Sequence, residues 1–216
     1  MKSSRPPRSS QETQHYFTHR PSGTNLPKGS PKTRSIEVLR RGVTLQLTSG
    51  AGVFSIGALD EGSALLIDTA QWSRDARVLD MGCGWGAVGC FVARLSPEAR
   101  VYLCDINLRA TELSRENIRA NGLKNAAVWC GDGAAAARDQ WFDAVLCNPP
   151  VRAGNAVIAQ LFEDAHRVLK AGGTLWVVLR TAQGAKSWAR RLEENWGNCE
   201  TVTIEQGYRI LKSVKQ

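Results

Sequence analysis

Apolar and polar positions divide the chain into stretches of different rhythm. From Met1 to about Lys32 aliphatic side chains are sparse and Pro, Ser, Lys and Arg dominate. Such a stretch buries too little apolar surface to fold alone and reads as a flexible basic tail. One apolar patch, His15-Tyr16-Phe17, interrupts it and is a candidate for docking on the body. From Ser35 to Thr48 the pattern alternates, Ile36/Val38 and then Val43/Leu45/Leu47, about Arg41-Gly42, which predicts a β-hairpin. After a Gly-rich loop (Gly50, Gly52, Gly57), residues 60–70 predict a short helix begun by Asp60 or Ser63.

From Arg77 the rhythm becomes regular. Apolar, strand-like runs at 77–81, 100–104, 126–130, 142–147 and 173–179 alternate with helical patterns at 86–95, 107–121, 133–139, 155–170 and 182–195. That alternation predicts an α/β fold with a parallel sheet covered on both faces. The last part breaks the rhythm: two strands, 199–204 and 208–213, are joined by Glu205-Gln206-Gly207 with no helix between them. An antiparallel hairpin is therefore expected to close the sheet. The division that follows is a basic tail over 1–34 and a folded domain over 35–216, with the hairpin and helix in 35–75 and the core in 76–216.

Composition changes this picture in three ways. Of 216 residues, 43% are hydrophobic, which excludes a wholly disordered chain and suits one mid-sized domain with a tail. The longest apolar runs, such as Leu175 to Leu179, are far too short to span a bilayer, and no apolar h-region follows Lys2, Arg5 and Arg8. Two prolines and no amphipathic pattern argue against a transit peptide, so a cytoplasmic protein is expected. The six cysteines show no C-x-x-C spacing, and the three histidines are scattered. Free thiols in a reducing compartment, and no metal, are the expectation.

The charge is formally +8, from 28 Lys+Arg and 20 Asp+Glu, which points to an anionic partner. Residues 1–41 carry nine basic and two acidic side chains, so +7 lies there and the remaining 175 residues carry +1. A near-neutral body with a basic lead suits RNA, although mere solubilisation by the tail fits the same numbers.

The candidate chemistry lies at the ends of the strands. Val78-Leu79-Asp80-Met81-Gly82-Cys83-Gly84-Trp85-Gly86 ends a buried strand and opens a helix, and its glycines let the backbone approach a flat ligand. Gly84-x-Gly86-x-x-Gly89, with Asp105 further on, also satisfies the dinucleotide-binding pattern, so a nicotinamide cofactor is one reading. Asp80, just before the glycines, would repel a pyrophosphate but attract the ammonium of S-adenosylmethionine. Asp132 follows the third strand of the run and can accept from an adenine amine. All three acids lie at carboxyl ends of strands, where open α/β sheets bind ligands. Helix capping is the plainer role for Asp80 and Asp132.

The fourth strand of the run ends in Asn148-Pro149-Pro150. As a bare string this is a turn signal. At a strand end beside a glycine loop it has chemical meaning. An exocyclic amine on a base, or an amide nitrogen, is a poor nucleophile because its lone pair is delocalised. The Asn148 side-chain oxygen and the Pro149 carbonyl can hold its two hydrogens, turn the lone pair toward a methyl donor and ease proton loss. Proline fixes the backbone and offers only an acceptor, so the loop is preorganised for this task.

With Phe54-Ser, Asp60-x-Gly62-Ser63, Leu79-Asp80-x-Gly82-x-Gly84-x-Gly86, Asp105 and Asn148-Pro149-Pro150 in this order, the chain resembles the small-domain class I methyltransferases related to ribosomal RNA small subunit methyltransferase C, a guanine-N2 family. The resemblance runs from about His15 to the C-terminus, and Asn-Pro-Pro-Val-Arg-Ala-Gly (148–154) is similar to a short single-domain branch. It implies a Rossmann-like, seven-stranded, mostly parallel sheet with the last hairpin antiparallel. It implies S-adenosylmethionine held by Asp80, Gly82, Cys83, Gly84, Gly86, Asp105 with Ile106, Asp132 with Gly133, and Asn148. Asn148, Pro149 and Pro150 are then the catalytic set, and ribosomal RNA or the small ribosomal subunit is the implied partner. Many relatives place Phe or Tyr after Asn-Pro-Pro to stack on the target ring, whereas this chain has Val151. Phe54 or Arg152 is the expected substitute, which makes Phe54, Val151 and Arg152 the substrate-binding candidates. Larger relatives carry a second, degenerate domain ahead of the catalytic one, for which the basic tail is the candidate replacement. Transfer RNA, adenine N6, a protein glutamine amide, and a non-catalytic RNA-binding module that keeps the cofactor pocket remain the alternatives.

Overall fold

A computed structural model of the chain describes residues 33–53 and 57–216. The tail expected over 1–34, the His15–Phe17 patch and Phe54 therefore lie outside the described residues, save that Thr33 and Arg34 already belong to the first strand. The first strand accordingly begins two residues before the expected boundary at residue 35.

The chain opens with β1 (Thr33–Arg40) and β2 (Val43–Gly50), an antiparallel pair that forms its own two-stranded sheet. The connecting Arg41 and Gly42 both have positive φ, 47° and 78°, as a tight twisted hairpin requires. Two strands alone are barely stable in water. Here Leu45 and Leu47 are wholly buried, and the outer edge of β2 is closed by side chains instead of a third strand. Asn117 and Asn121, one turn apart on α3 (Leu108–Ala120) and at its C-cap, bond both backbone groups of Thr48 and of Gln46 at 2.7–3.1 Å.

A helix, α1 (Glu61–Thr69), follows; Asp60 is its N-cap, accepting from the Ser63 N–H at 2.9 Å. Its C-terminal carbonyls at Ile67 and Ala70 accept from Arg41, at the hairpin turn. The core then alternates β3 (Arg77–Met81), α2 (Ala87–Leu95), β4 (Arg100–Asp105), α3, β5 (Ala126–Cys130), β6 (Phe142–Cys147), α4 (Asn155–Val168), β7 (Leu169–Arg180) and α5 (Ala185–Trp196). It closes with β8 (Glu200–Glu205) and β9 (Tyr208–Val214).

The seven strands run β5-β4-β3-β6-β7-β9-β8. All neighbours are parallel from β5 to β7; β9 is antiparallel to both β7 and β8, so the last strand inserts between them. Side chains alternate between two cores. Val78, Val101, Leu146 and Val178 face α1, α2, α3 and the hairpin, while Leu79, Cys104, Cys147 and Val177 face α4 and α5. Burial on both faces is the reason these strands are continuous apolar runs.

Three expectations need correction. No helix forms over 133–139. Arg167 on α4 takes the carbonyls of Ala134 and Ala137 at 2.7 and 3.0 Å, and Asp164 takes the Ala134 N–H at 3.2 Å, so the segment is held as a series of turns. The strand expected at 173–179 begins earlier, at Leu169, and its first residues pass an irregular register opposite β6 between Phe142 and Ala144. Helix α5 likewise starts at Ala185 after a 3-10 turn over Thr181–Gln183. Among the described residues, no helix is long and apolar enough to cross a membrane.

Candidate functional site

Moving outward from β3, the chain connects to β4 on one side and β6 lies on the other. The divergence between the loop after β3, which leads to β4, and the loop after β6, which leads to β7, opens a crevice. A cleft of about 960 Å³ lies there, floored by the ends of β3, β4 and β6 and walled by the ends of β7 and β9.

The glycine loop forms its first wall. Gly82 and Gly84 have φ of 73° and 56°, and the position of a side chain on either is open space within the cleft. The Gly82 and Cys83 N–H groups both donate to the Cys104 carbonyl at 2.9 Å, which ties the loop to β4. Gly86 behaves differently. A Cβ there would come within 2.8 Å of the Ser114 hydroxyl, so this glycine permits α2 to begin tightly against α3 and does not line the cleft. Its expected part in holding the cofactor becomes one of loop geometry.

Asp105 organises the next wall. Its Oδ2 accepts from the Gly84 N–H at 2.9 Å and its Oδ1 from the Asn107 N–H at 2.8 Å. Asn107 in turn caps α3 and donates to the Gly52 carbonyl at 2.8 Å, drawing the loop after the hairpin to the cleft. Each carboxylate oxygen keeps lone-pair capacity for a ligand hydroxyl. Burial raises the Asp105 carboxyl above its ordinary range, opposed by these two amides.

Asp80 is only 3% exposed. Its Oδ2 accepts from the Gly89 N–H, in the first turn of α2, at 2.8 Å. The plainer capping role is therefore real, and the same residue also lines the cleft. Burial pushes its carboxyl up to about 7, with the Gly89 N–H opposing and Asp105 adding to the rise. A cation seated beside it would favour the ionised form. Asp132, exposed, and Gly133 line the far end, on the loop that Asp164 and Arg167 hold; Ile106 and Cys83 line it too. All six cysteines are free, and Cys130 is exposed. Burial, with the Asp80 charge next, holds the Cys83 thiol well above its usual value, so it is no thiolate nucleophile. No cluster of His, Cys, Asp and Glu among the described residues could hold a metal ion.

Asn148 follows β6, next to β3. Its amino group donates to Asp60 Oδ1 at 3.1 Å and to Ser63 Oγ at 3.0 Å. Both amide hydrogens are spent on the start of α1, so the side chain offers a cleft ligand only its oxygen. Pro149 and Pro150 have no N–H to offer. The Pro150 carbonyl is taken by the Ala153 N–H at 2.8 Å in the 3-10 turn Val151–Ala153, which leaves Pro149 as the proline whose carbonyl can serve a ligand. Val151 and Arg152, on that turn, line the same end of the cleft. Sequence reasoning treated Asp60 and Ser63 as helix-start signals and as part of the resemblance, without a role in the site. It missed Arg180, although the run 173–179 puts that residue at a strand's carboxyl end, and Tyr208, which nothing in its local sequence marks; both line the cleft.

The cleft thus joins acids and open glycines at one end to a fixed pair of acceptors at the other. The family model described as methyltransferase small domain matches residues 44–212. The uncharacterized protein YbxB of Bacillus subtilis is 36% identical over 205 residues, covering 94% of this chain and 99% of that protein. Ribosomal RNA large subunit methyltransferase G of Shewanella amazonensis is 34% identical over 178 residues, covering 79% of this chain and 46% of that protein. A solved T. thermophilus protein, a 16S rRNA N2-guanine methyltransferase in complex with AdoMet and guanosine, superposes with a TM-score of 0.78 at 27% identity, covering 88% of this chain and 52% of that one. The chain spans about half the length of these two ribosomal RNA methyltransferases.

Proposed function

This chain belongs to the methyltransferase small domain family, and we propose that it methylates an exocyclic amine of ribosomal RNA, with guanine N2 the favoured acceptor. Its cofactor is S-adenosylmethionine, which supplies a methyl group on a sulfonium. The residues fit that group. Open space at Gly82 and Gly84 admits a flat ligand, buried Asp80 answers an ammonium, and Asp105 retains acceptor capacity for ribose hydroxyls. Asp132 stands at the end suited to an adenine amine. Membership in this family sets aside the nicotinamide reading of the glycines.

The observation that carries the acceptor assignment is the tethered Asn148 amide. An acceptor-only pair, the Asn148 oxygen and the Pro149 carbonyl, matches a group with two hydrogens to give. Holding both hydrogens keeps the amine's lone pair out of conjugation and aimed along one line, so positioning supplies most of the rate effect. The N–H that must later be lost already points at an acceptor. Guanine N2 is favoured because the T. thermophilus neighbour is an N2 enzyme solved with guanosine. The large-subunit relative makes the subunit an experimental question.

The test is transfer of labelled methyl to small subunits, large subunits, their naked RNA, transfer RNA and protein extract, with Asn148→Ala as control. Nuclease digestion then maps the modified base. Label in N2-methylguanine of ribosomal RNA, lost in the variant, is the expected result. Label only in protein would overturn the RNA assignment, and label in adenine N6 would overturn the base. Cofactor binding without transfer to anything would leave a binding module.

A further inference from the structure

The acceptor end of the cleft carries a flat surface that no role above uses. Arg180 ends β7, Tyr208 begins β9, and the antiparallel register sets them opposite each other. The Arg180 Cζ lies 4.7 Å from the centre of the Tyr208 ring. Its Nε donates to the Tyr208 hydroxyl at 2.7 Å, and its Nη2 lies 3.7 Å from Glu61. Three contacts therefore hold a side chain that is ordinarily loose, yet it is 52% exposed.

Its place matters. A Cβ on Gly62 would come within 2.9 Å of the Tyr208 ring, and Gly62 sits between Asp60 and Ser63, the two residues that hold Asn148. The guanidinium thus flanks the same helix start that orients the acceptor amide. Two hydrogen bonds to an amine leave the base free to tilt about the line through them; a plane against the ring removes that freedom. Val151 offers no plane. Among the described residues lining the cleft, the aromatic rings are Trp85 and Tyr208. Trp85 is 4% exposed within the core, and Tyr208 is 8% exposed with the guanidinium over its ring. Two guanidinium groups remain along the cleft, Arg152 on the 3-10 turn and Arg180. The one held in place by three contacts is that of Arg180, and the delocalised, weakly hydrated face of a guanidinium stacks on aromatics and on unpaired bases alike.

We propose that Arg180, laid on Tyr208, is the platform on which the acceptor base stacks, a substrate-positioning role that rests on the RNA-base reading above and adds the residue fixing the base plane. Wild type, Arg180→Lys, Arg180→Ala and Tyr208→Phe are compared on whichever ribosomal RNA the wild-type chain methylates. The readouts are kcat/KM, S-adenosylmethionine affinity, thermal unfolding and the salt dependence of RNA binding. Lysine keeps the charge and loses the plane, so Arg180→Lys falls as far as Arg180→Ala, roughly 5- to 150-fold in kcat/KM. Cofactor affinity and unfolding stay as in wild type, and the salt slope of Arg180→Lys is unchanged. Tyr208→Phe, which frees the guanidinium, loses less than either. Wild-type activity in Arg180→Lys, with the slope of Arg180→Ala lower by about 0.7–0.9, would identify a phosphate contact and overturn the platform. Parallel loss of stability or cofactor binding in both Arg180 variants would overturn it in favour of a structural role. A wild-type chain that methylates no RNA would refute the underlying reading and the platform with it, whereas the other two failures leave that reading standing.

Discussion

Replacing Asp60 by Ala removes one oxygen that holds two things at once. Oδ1 of Asp60 accepts the Ser63 N–H at 2.9 Å, capping α1, and the Asn148 amino group at 3.1 Å. Loss of the cap costs about 1 kcal/mol, which lowers Tm by about 2–4 °C in a chain of this size. The second loss is one of geometry. A hydrogen bond to a charged group is worth about 1.5–3 kcal/mol, and without it the Asn148 amide keeps only the Ser63 hydroxyl, at 3.0 Å. The correctly turned population, and kcat with it, is expected to fall about 10- to 150-fold at 1.36 kcal/mol per decade. Ser63→Ala leaves the carboxylate in place and removes a neutral bond worth about 0.5–1.5 kcal/mol, so its kcat falls about 2- to 10-fold. Asp60→Asn retains a good N-cap and wild-type stability, with a kcat loss smaller than that of Asp60→Ala. Single-turnover methyl transfer gives the rate, calorimetry the S-adenosylmethionine affinity and thermal scans the stability. Cofactor affinity should not move. A wild-type kcat in Asp60→Ala, with only Tm reduced, would make Asp60 a helix cap and nothing more.

Three further outcomes are expected. S-adenosylmethionine affinity should rise with pH and level off above about 7, because a cationic ligand favours ionised Asp80; in the free protein the same raised pKa means stability present below 3.8 is lost as pH climbs through about 7, and a pH-independent affinity in wild type would remove Asp80 from the ammonium site. Asn117→Ala should destabilise the chain by about 3 kcal/mol in denaturant titration, since this fully buried amide serves Thr48 N–H, Thr48 C=O and Trp85 C=O at 2.7, 2.9 and 2.8 Å; a loss below about 1 kcal/mol, the worth of one ordinary bond, would contradict that accounting. Deleting residues 1–32 removes six basic and one acidic side chain and spares β1, so it should lower the log–log salt slope of RNA binding by about 0.7–0.9 for each phosphate no longer neutralised, while cofactor affinity stays; an unchanged slope would exclude the segment from RNA binding.

The sequence pattern located β3, β5 and β6 residue for residue: β3 and β6, buried on both faces, are mostly apolar runs that stop at Gly82 and Asn148, and β5, half-buried at the sheet edge, is an apolar run that stops at Gly131. It failed where distant side chains decide. Four consecutive alanines at 134–137 favour a helix, but Arg167 and Asp164 bond their backbone groups from another helix, and local propensity has no access to that. Leu169 continues the apolar stripe of α4, yet the chain there has already turned: the Trp141 N–H donates to the Val168 carbonyl at 2.7 Å and β7 begins. The hairpin itself was legible from alternation. Its attachment was not, since Asn117 and Asn121 look like ordinary polar positions on a helix until β2 lies against them.

The site divides along the same line. Asp80, Asp105, Asp132 and Asn148 were legible because a parallel sheet gathers the residues at its carboxyl ends whatever their separation in sequence. Asp60 and Ser63, 88 and 85 residues from Asn148, come from outside that rule, as does Tyr208 at the start of an antiparallel strand, and only packing brings them to the cleft, whereas Arg180 obeys it at the carboxyl end of β7. Their arrival gives the cleft a polarity. Asp80, Asp105 and Asp132 lie toward β3, β4 and β5, while Arg152 and Arg180 lie toward β6 and β7. The body around them carries a net charge of +1, so this local separation is not submerged in a larger field. A cationic cofactor is drawn to the acidic end, and a phosphate backbone is repelled from it and attracted to the arginine end. For the RNA acceptor proposed above, the two ligands then meet at β6, where Asn148 presents an acceptor with its own hydrogens already used.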